Sequence, residues 1–267
     1  MPNVLQIGPL VLPTSLLFML VAMSAATFIG RWLGRRIGVD VEPILFQAVV
    51  VGVVVARLAF ILQYSTTYQV SPLSMLDIRD GGWRPLAGVA AAWLYVFARQ
   101  FNKPMLRKPL LAAVFAGSMI WGGGLISLSL PGDEQRLPTL ALVSLQGSTV
   151  DLAQFAGKPT VVNLWATWCP PCVREMPVLY AAQVSNPEVN FVFINQGESA
   201  QRVGPWLAAR NLLLSNVLLD TEGQAVKVFK QRGLPTTLFF DANGRLVSTR
   251  TGELSKASLT EKLDSIK

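Results

Sequence analysis

Four apolar stretches, Leu10–Ile29, Ile44–Leu62, Leu86–Ala98 and Leu110–Leu130, leave the first half of this 267-residue chain few ways to fold. A helix of about 20 apolar residues crosses bilayer hydrocarbon with every backbone donor and acceptor satisfied internally. Three of the stretches approach or exceed that length. The third is shorter, but its Trp93 and Tyr95 suit a membrane interface and an even number of crossings requires it. Residues 1–130 are therefore expected to form a transmembrane domain of about four helices. A mean hydropathy of +0.43 with only 15% charged residues agrees with this.

Charges between the stretches set the orientation. The first connection holds Arg31, Arg35 and Arg36, and the third holds Arg99, Lys103, Arg107 and Lys108. The second, Tyr64–Pro85, balances Arg79 and Arg84 against Asp77 and Asp80. Positive loops stay in the cytoplasm, so the N-terminus and everything after about Leu130 are expected outside it. No Lys or Arg precedes the first stretch, which argues for an uncleaved span rather than a signal peptide. The localisation expected is a bacterial inner membrane, multi-pass, with the second half in the periplasm or on the outer face. Residues 1–130 carry ten Lys/Arg and four Asp/Glu, and residues 131–267 carry thirteen and twelve. The basic excess thus belongs to the membrane half, and no nucleic-acid partner is expected.

Small residues repeat at helical spacing in Ala22, Ala26 and Gly30, in Gly88 and Ala92, and in Ala113 and Gly117. Such rows let helices approach closely, and ordinary bundle packing is their expected role. Arg57 lies inside the second stretch, toward its outer end. A membrane arginine is costly, which makes it a candidate for function. Reaching for the outer interface, or pairing with Asp77 or Asp80, would account for it equally well.

The run Ala56-Arg57-Leu58, Tyr64, Tyr68, Pro72-Leu73 and Gly81-Gly82 to Gly88 resembles the early part of prolipoprotein diacylglyceryl transferase. That family moves a diacylglyceryl group to a lipoprotein cysteine. The resemblance breaks where the chemistry lies. The family has a histidine shortly after its double glycine; here the run is Gly82-Trp83-Arg84-Pro85-Leu86-Ala87-Gly88, and the chain has no His. The family's later helices and arginines have no counterpart. The resemblance implies a truncated relative serving as an anchor or as a platform for membrane lipid or a partner, without transferase activity.

Pro131 to Pro138 is short, polar and bears Pro and Gly, and reads as a linker. Residues 139–267 then alternate strand-like and helix-like segments and end in a hairpin around Ala242-Asn243-Gly244 and a last helix. This pattern implies an α/β sheet with helices on its faces.

The second half holds both cysteines, Cys169 and Cys172, between an apolar strand-like run, Thr160–Ala166, and a segment able to form a helix. Cys169 then falls at a helix N-terminus, where free N–H groups and the helix dipole favour thiolate. A thiolate beside a second cysteine can attack a disulfide and be released by its neighbour. The pair could also be a zinc half-site, a structural disulfide or two core cysteines. Zinc needs three or four protein ligands, and no His or further Cys exists here, so no metal is expected. A structural bridge would close a tiny loop and constrain the unfolded chain little.

This half resembles the TlpA/ResA-type thioredoxin-like proteins. The resemblance rests on Leu152 with Gly157-Lys158-Pro159, on Asn163 through Cys172, on Glu175-Met176-Pro177, on Gly233-Leu234-Pro235-Thr236-Thr237, and on Asp241 with Gly244. It implies a thioredoxin-like domain performing thiol–disulfide exchange outside the cytoplasm, with no cofactor beyond the Cys169–Cys172 disulfide. Cys169 would be the exposed attacking thiolate and Cys172 the buried resolving thiol. Glu175 would tune the cysteines and carry protons. Asn163 stands where thioredoxins proper carry a buried acid. Leu234 would offer backbone groups to substrate ahead of a cis Pro235. Trp168, Pro170, Pro171, Leu234 and Pro235 are the expected substrate-binding surface. Strong oxidants of this fold carry a histidine between the cysteines; Pro170 and Pro171 cannot replace it.

The leading expectation is a membrane-anchored reductase of disulfides in periplasmic proteins. The membrane half has no cysteine to carry electrons, so a DsbD-like transmembrane donor is implied. A disulfide oxidase or isomerase using the same residues, or a non-catalytic lipid- or partner-binding adaptor, stays open.

Overall fold

The computed structural model describes residues 4–7, 10–68, 75, 81–101, 103–129, 135–231 and 233–267. The chain divides into two compact units, Met1–Pro72 with Gly82–Gly132, and Leu73–Gly81 with Asp133–Lys267.

The first unit opens with two antiparallel strands, β1 (Val4–Ile7) and β2 (Leu10–Pro13). Helices α1 (Thr14–Arg36), α2 (Glu42–Gln63), α3 (Ser65–Tyr68), α4 (Pro85–Gln100) and α5 (Pro104–Ser129) follow. Leu10–Pro13, expected within the first apolar helix, is extended instead. Pro13 biases the residue before it toward extended backbone, so the helix starts only at Thr14. Proline marks other helix starts at Pro85 and Pro104, where a missing N–H costs nothing. Helices α1, α2 and α5 are long and apolar enough to cross a membrane. Helix α4 has 16 residues; at about 1.5 Å per residue it is shorter than a typical hydrocarbon core.

Several basic residues expected in connections lie on helix ends instead. Arg35 and Arg36 close α1, where cations complement the helix dipole. Arg107 and Lys108 belong to the beginning of α5.

The small-residue rows sit at helix contacts. A Cβ added to Gly88 would lie 2.6 Å from the Gly52 carbonyl oxygen and 2.9 Å from the Ala56 Cβ, so α2 and α4 meet backbone to backbone. A Cβ on Gly117 would lie 3.1 Å from the Ala26 Cβ, and one on Gly30 3.3 Å from the Ala113 Cβ, which places both rows between α1 and α5. Trp93, expected at an interface, gives its indole N–H to the Ser118 hydroxyl at 3.1 Å, joining α4 to α5. Gly88→Val has no room and is expected to cost about 1–3 kcal/mol, seen as lost monodispersity of the purified protein in detergent.

Arg57 is buried on α2. Its Nη1 donates to the Gly82 carbonyl at 2.7 Å, and its guanidinium lies 5.8–5.9 Å from the rings of Phe60, Tyr68 and Trp83. A Cβ on Gly82 would strike the Phe60 ring, so glycine is required beside it. Asp77 and Asp80, the expected partners of Arg57, lie outside the described residues.

The second unit is a seven-stranded mixed sheet in the order β4-β3-β7-β6-β5-β8-β9. Its strands are β3 (Ala141–Ser144), β4 (Thr149–Asp151), β5 (Thr160–Trp165), β6 (Asn190–Gln196), β7 (Val217–Asp220), β8 (Thr236–Phe240) and β9 (Leu246–Thr251). The helices are α6 (Pro170–Ser185), α7 (Ala200–Ala208), α8 (Gln224–Val228) and α9 (Lys256–Asp264). Strand β5 pairs parallel with β6 and antiparallel with β8, and all six of its residues are buried. Its alternation feeds two cores. Val161 and Trp165 join Cys172, Met176 and Leu179 of α6, while Val162 and Leu164 face Leu152, Phe155, Ala225 and Phe229. Asn163 shares the α6 face. At the other end, Leu137 N–H bonds Gly244 and Leu246 N–H bonds Gln135, so the described end of the expected linker is tied to the β8–β9 hairpin.

Candidate functional site

Strand β5 leads into Ala166-Thr167-Trp168 and delivers Cys169 to the N-cap of α6. Pro170 and Pro171 occupy the first helical turn, where their missing N–H groups leave no bond unmade. The first free amide is that of Cys172, which points at the Cys169 sulfur at 3.3 Å. Cys169 and Cys172 are joined in a disulfide, so this is the oxidised form. Cys169 is more covered than expected, at 4% exposed, against 0% for Cys172. The difference lies in direction. Cys169 lines a groove with Trp168, Pro170, Pro171, Val226, Gly233 and Leu234, and Cys172 packs into the core. Trp168 stands out at 63% exposure. Trp165 is fully buried, its ring 5.3 Å from that of Trp206.

The Leu234–Pro235 peptide is cis. Five of the expected surface and cysteine residues, Trp168, Cys169, Pro170, Pro171 and Leu234, share one groove; Pro235 follows Leu234 in the chain but is not among the residues that line it. Val226 and Gly233 complete it and were not among the expected residues.

Glu175 lies one helical turn after Cys172 and is fully buried. It accepts hydrogen bonds from Asn163 Nδ2 at 2.8 Å and from the Leu254 N–H at 3.0 Å. Asn163 Nδ2 also reaches Thr237 Oγ1 at 3.0 Å, across the β5–β8 pairing that places the two residues side by side. Burial pushes the Glu175 carboxyl up to about 7, against the lowering pull of these two bonds; Glu253 nearby adds to the rise. A carboxyl with that affinity exchanges a proton near neutral pH.

Glu198 has no counterpart in the sequence expectations. It is buried where β6 ends, and accepts from the Thr167 N–H at 2.7 Å, the Thr167 hydroxyl, Asn195 Nδ2 at 2.8 Å and Arg202 Nε at 2.9 Å. Burial acts to raise its pKa, but these bonds outweigh it and hold the carboxyl below the usual range. It thereby pins the backbone two residues before Cys169. Its one sequence signal was the i, i+4 spacing to Arg202. Glu198→Ala leaves the Thr167 amide and the Asn195 amide group without their acceptor. The expected cost is about 2 kcal/mol, read as a lower melting temperature of the oxidised protein.

Each half of the chain is similar to known proteins. Residues 132–263 match the Redoxin family, and residues 2–132 match prolipoprotein diacylglyceryl transferase. The thiol-disulfide oxidoreductase ResA of Geobacillus thermodenitrificans (strain NG80-2) is 32% identical over 132 residues, 49% of this chain and 75% of ResA. That of Bacillus subtilis (strain 168) is 28% identical over 49% of this chain and 73% of its own. Among solved structures, MTB dsbF in its mixed oxidized and reduced forms aligns with a TM-score of 0.46 and 26% identity, covering 48% of this chain and 96% of that one. At 32% identity over three quarters of a ResA chain (75%), this chain belongs to the ResA family of thiol-disulfide oxidoreductases, preceded by a prolipoprotein diacylglyceryl transferase-like region.

Proposed function

We propose that this protein is a membrane-anchored reductase of disulfides in extracytoplasmic proteins. The observation that carries the reading is the placement of Cys169 on an open groove with Cys172 and Glu175 buried behind it on the same helix. In the reduced protein, the Cys169 thiolate attacks a substrate disulfide. One substrate sulfur joins Cys169 in a mixed disulfide, and the other leaves as a thiolate and takes a proton. Cys172 then loses its proton and attacks the Cys169 sulfur, which frees the second substrate thiol and leaves the Cys169–Cys172 disulfide. Glu175, one turn from Cys172, is the proposed proton acceptor for that second step. Two electrons must then return the pair to dithiol, and a DsbD-like transmembrane donor is the proposed source.

The exposed ring of Trp168 and the backbone of Leu234 supply the proposed substrate surface: the ring offers apolar area and Leu234 offers main-chain groups for an extended segment. The three long apolar helices and the basic ends of α1 and α5 support a multi-pass membrane anchor with the thioredoxin-like unit outside. Arg57, held by the Gly82 carbonyl and ringed by aromatics, is proposed to hold Gly82 and Trp83 against α2 rather than to act on lipid.

Equilibrating the purified protein with dithiothreitol redox buffers and counting free thiols tests the direction of exchange. No histidine separates the cysteines, so the expected potential lies near the thioredoxin value of about −270 mV. A result near the DsbA value of about −120 mV would make the protein an oxidase.

A further inference from the structure

Glu175 is fully buried, yet the role proposed for it requires a proton to reach water. Its hydrogen-bond partner Asn163 and that residue's partner Thr237 are buried on β5 and β8. Cys172 and Met176, which flank it on α6, are buried in the core. Its remaining hydrogen bond comes from the turn between β9 and α9, Gly252-Glu253-Leu254, where Gly252 and Glu253 are only half-buried.

Each residue of this turn is tied to a different part of the site. The Gly252 N–H donates to the carbonyl of the cis Pro235 at 2.9 Å. The Glu253 Oε2 accepts from Arg174 Nε at 2.9 Å and Nη2 at 2.6 Å, which fastens the turn to α6 one residue before Glu175. The Leu254 N–H donates to Glu175 Oε2 at 3.0 Å, and the Leu254 side chain joins the core of Cys172 and Met176. Both ends of the turn are anchored, by the Thr236–Thr251 pairing of β8 and β9 and by the Ser255 cap of α9. Between them Gly252 has a φ of +100°, and a Cβ there would meet nothing within 4 Å. The turn therefore bends at a glycine with room to move. Its one ionic tie is on the surface, where such pairs hold weakly.

We propose that Gly252-Glu253-Leu254 is a cover over Glu175, latched by Arg174 and Glu253, and that the carboxyl passes its proton to water when this cover opens. The proposal rests on the reading of Glu175 as proton acceptor for Cys172. The Cys172 thiol gives its proton to the Glu175 carboxylate; on opening, the carboxyl gives that proton to water and is a carboxylate again. Arg174 and Glu253 act through Glu175 and are positioning residues. Opening and ionisation are linked. Burial keeps the covered carboxyl protonated up to about 7, and in water it returns to its ordinary 4.5. Glu253 adds to the rise and Arg250 of β9 opposes it, while Cys172 in its disulfide does not titrate. Between those pH values each opening releases one proton, so opening becomes about tenfold more favourable per pH unit.

Amide hydrogen exchange of the oxidised full chain in neutral detergent tests the proposal, read by mass spectrometry at Leu254 and corrected for base catalysis. Protection of Leu254 in the wild type is expected to fall about tenfold per pH unit between 4.5 and 7 and then to level off. In Glu175→Gln it is expected to be independent of pH. Arg174→Gln is expected to lower it about three-fold at every pH, the effect of losing an exposed ion pair, and Arg174→Lys to restore most of that loss. Protection of β5 is expected to stay at the wild-type level in both arginine variants, which separates a local latch from general destabilisation. Protection of Leu254 that does not vary with pH in the wild type would overturn the proposal. So would wild-type protection in Arg174→Gln, or an equal loss in β5. The underlying reading fails separately: normal resolution of the mixed disulfide by Glu175→Gln would remove Glu175 as proton acceptor, whatever the exchange at Leu254 shows.

Discussion

Cys169→Ala is expected to abolish disulfide exchange, with a loss of about a thousand-fold or more, as for removal of other catalytic nucleophiles. Cys169 alone of the two cysteines opens on the groove, so no other thiol can begin the reaction. Cys172→Ala is expected to behave differently. Its Cys169 can still attack, but nothing resolves the mixed disulfide, so one substrate molecule stays attached per protein. Turnover of a disulfide-linked substrate separates these outcomes, followed by non-reducing electrophoresis to reveal the trapped species. Full turnover by Cys169→Ala would mean that the pair is structural.

The second large effect belongs to Glu175. Its carboxyl titrates at about 7 in the oxidised protein and near 4.5 when unfolded. Between those values the folded chain holds a proton that the unfolded chain has lost. The stability associated with the neutral carboxyl is therefore fully present below pH 4.5 and is lost as pH rises through 7, by about 3 kcal/mol in total. Glu175→Gln removes that titration. The melting temperature of wild type minus that of the variant is expected to fall steadily from pH 4.5 to 7 and then level off. Taking the difference also cancels the opposite trend from carboxyls held low, such as Glu198 and Asp241. A pH-independent difference would show that Glu175 ionises normally despite its burial. In turnover, Glu175→Gln is expected to slow resolution of the mixed disulfide while leaving the first attack by Cys169 in place.

The features that sequence made legible are local ones. Strand β5 was readable because four of its six residues, Val161, Val162, Leu164 and Trp165, are apolar and point to both faces, and α6 because two prolines and a cysteine mark its first turn. The small-residue rows were readable from a spacing of four that puts them on one helix face. Element ends were less so. Helix α5 starts at Pro104, not Leu110, because hydropathy marks the apolar middle of a helix and passes over Arg107 and Lys108, which are good helix formers. Strand β2 is hidden within the first apolar stretch, since Leu10, Val11 and Leu12 are as apolar as the helix after them. Glu198 was not legible. Its hydrogen-bond partner Thr167 lies 31 residues away and meets it only after β5 and β6 pair. The burial of Glu175 had the same origin, because its partners Asn163 and Leu254 come from a neighbouring strand and from the loop before α9.

The redox form of Cys169 and Cys172 in growing cells tests the central claim most directly. Cells are quenched in acid, and free thiols are tagged with a reagent that adds mass. A reductase supplied with electrons across the membrane is expected to hold the pair mostly as dithiol, and to lose that state when a DsbD-like donor is deleted. A pair that is fully oxidised, and unchanged by that deletion, would contradict the account.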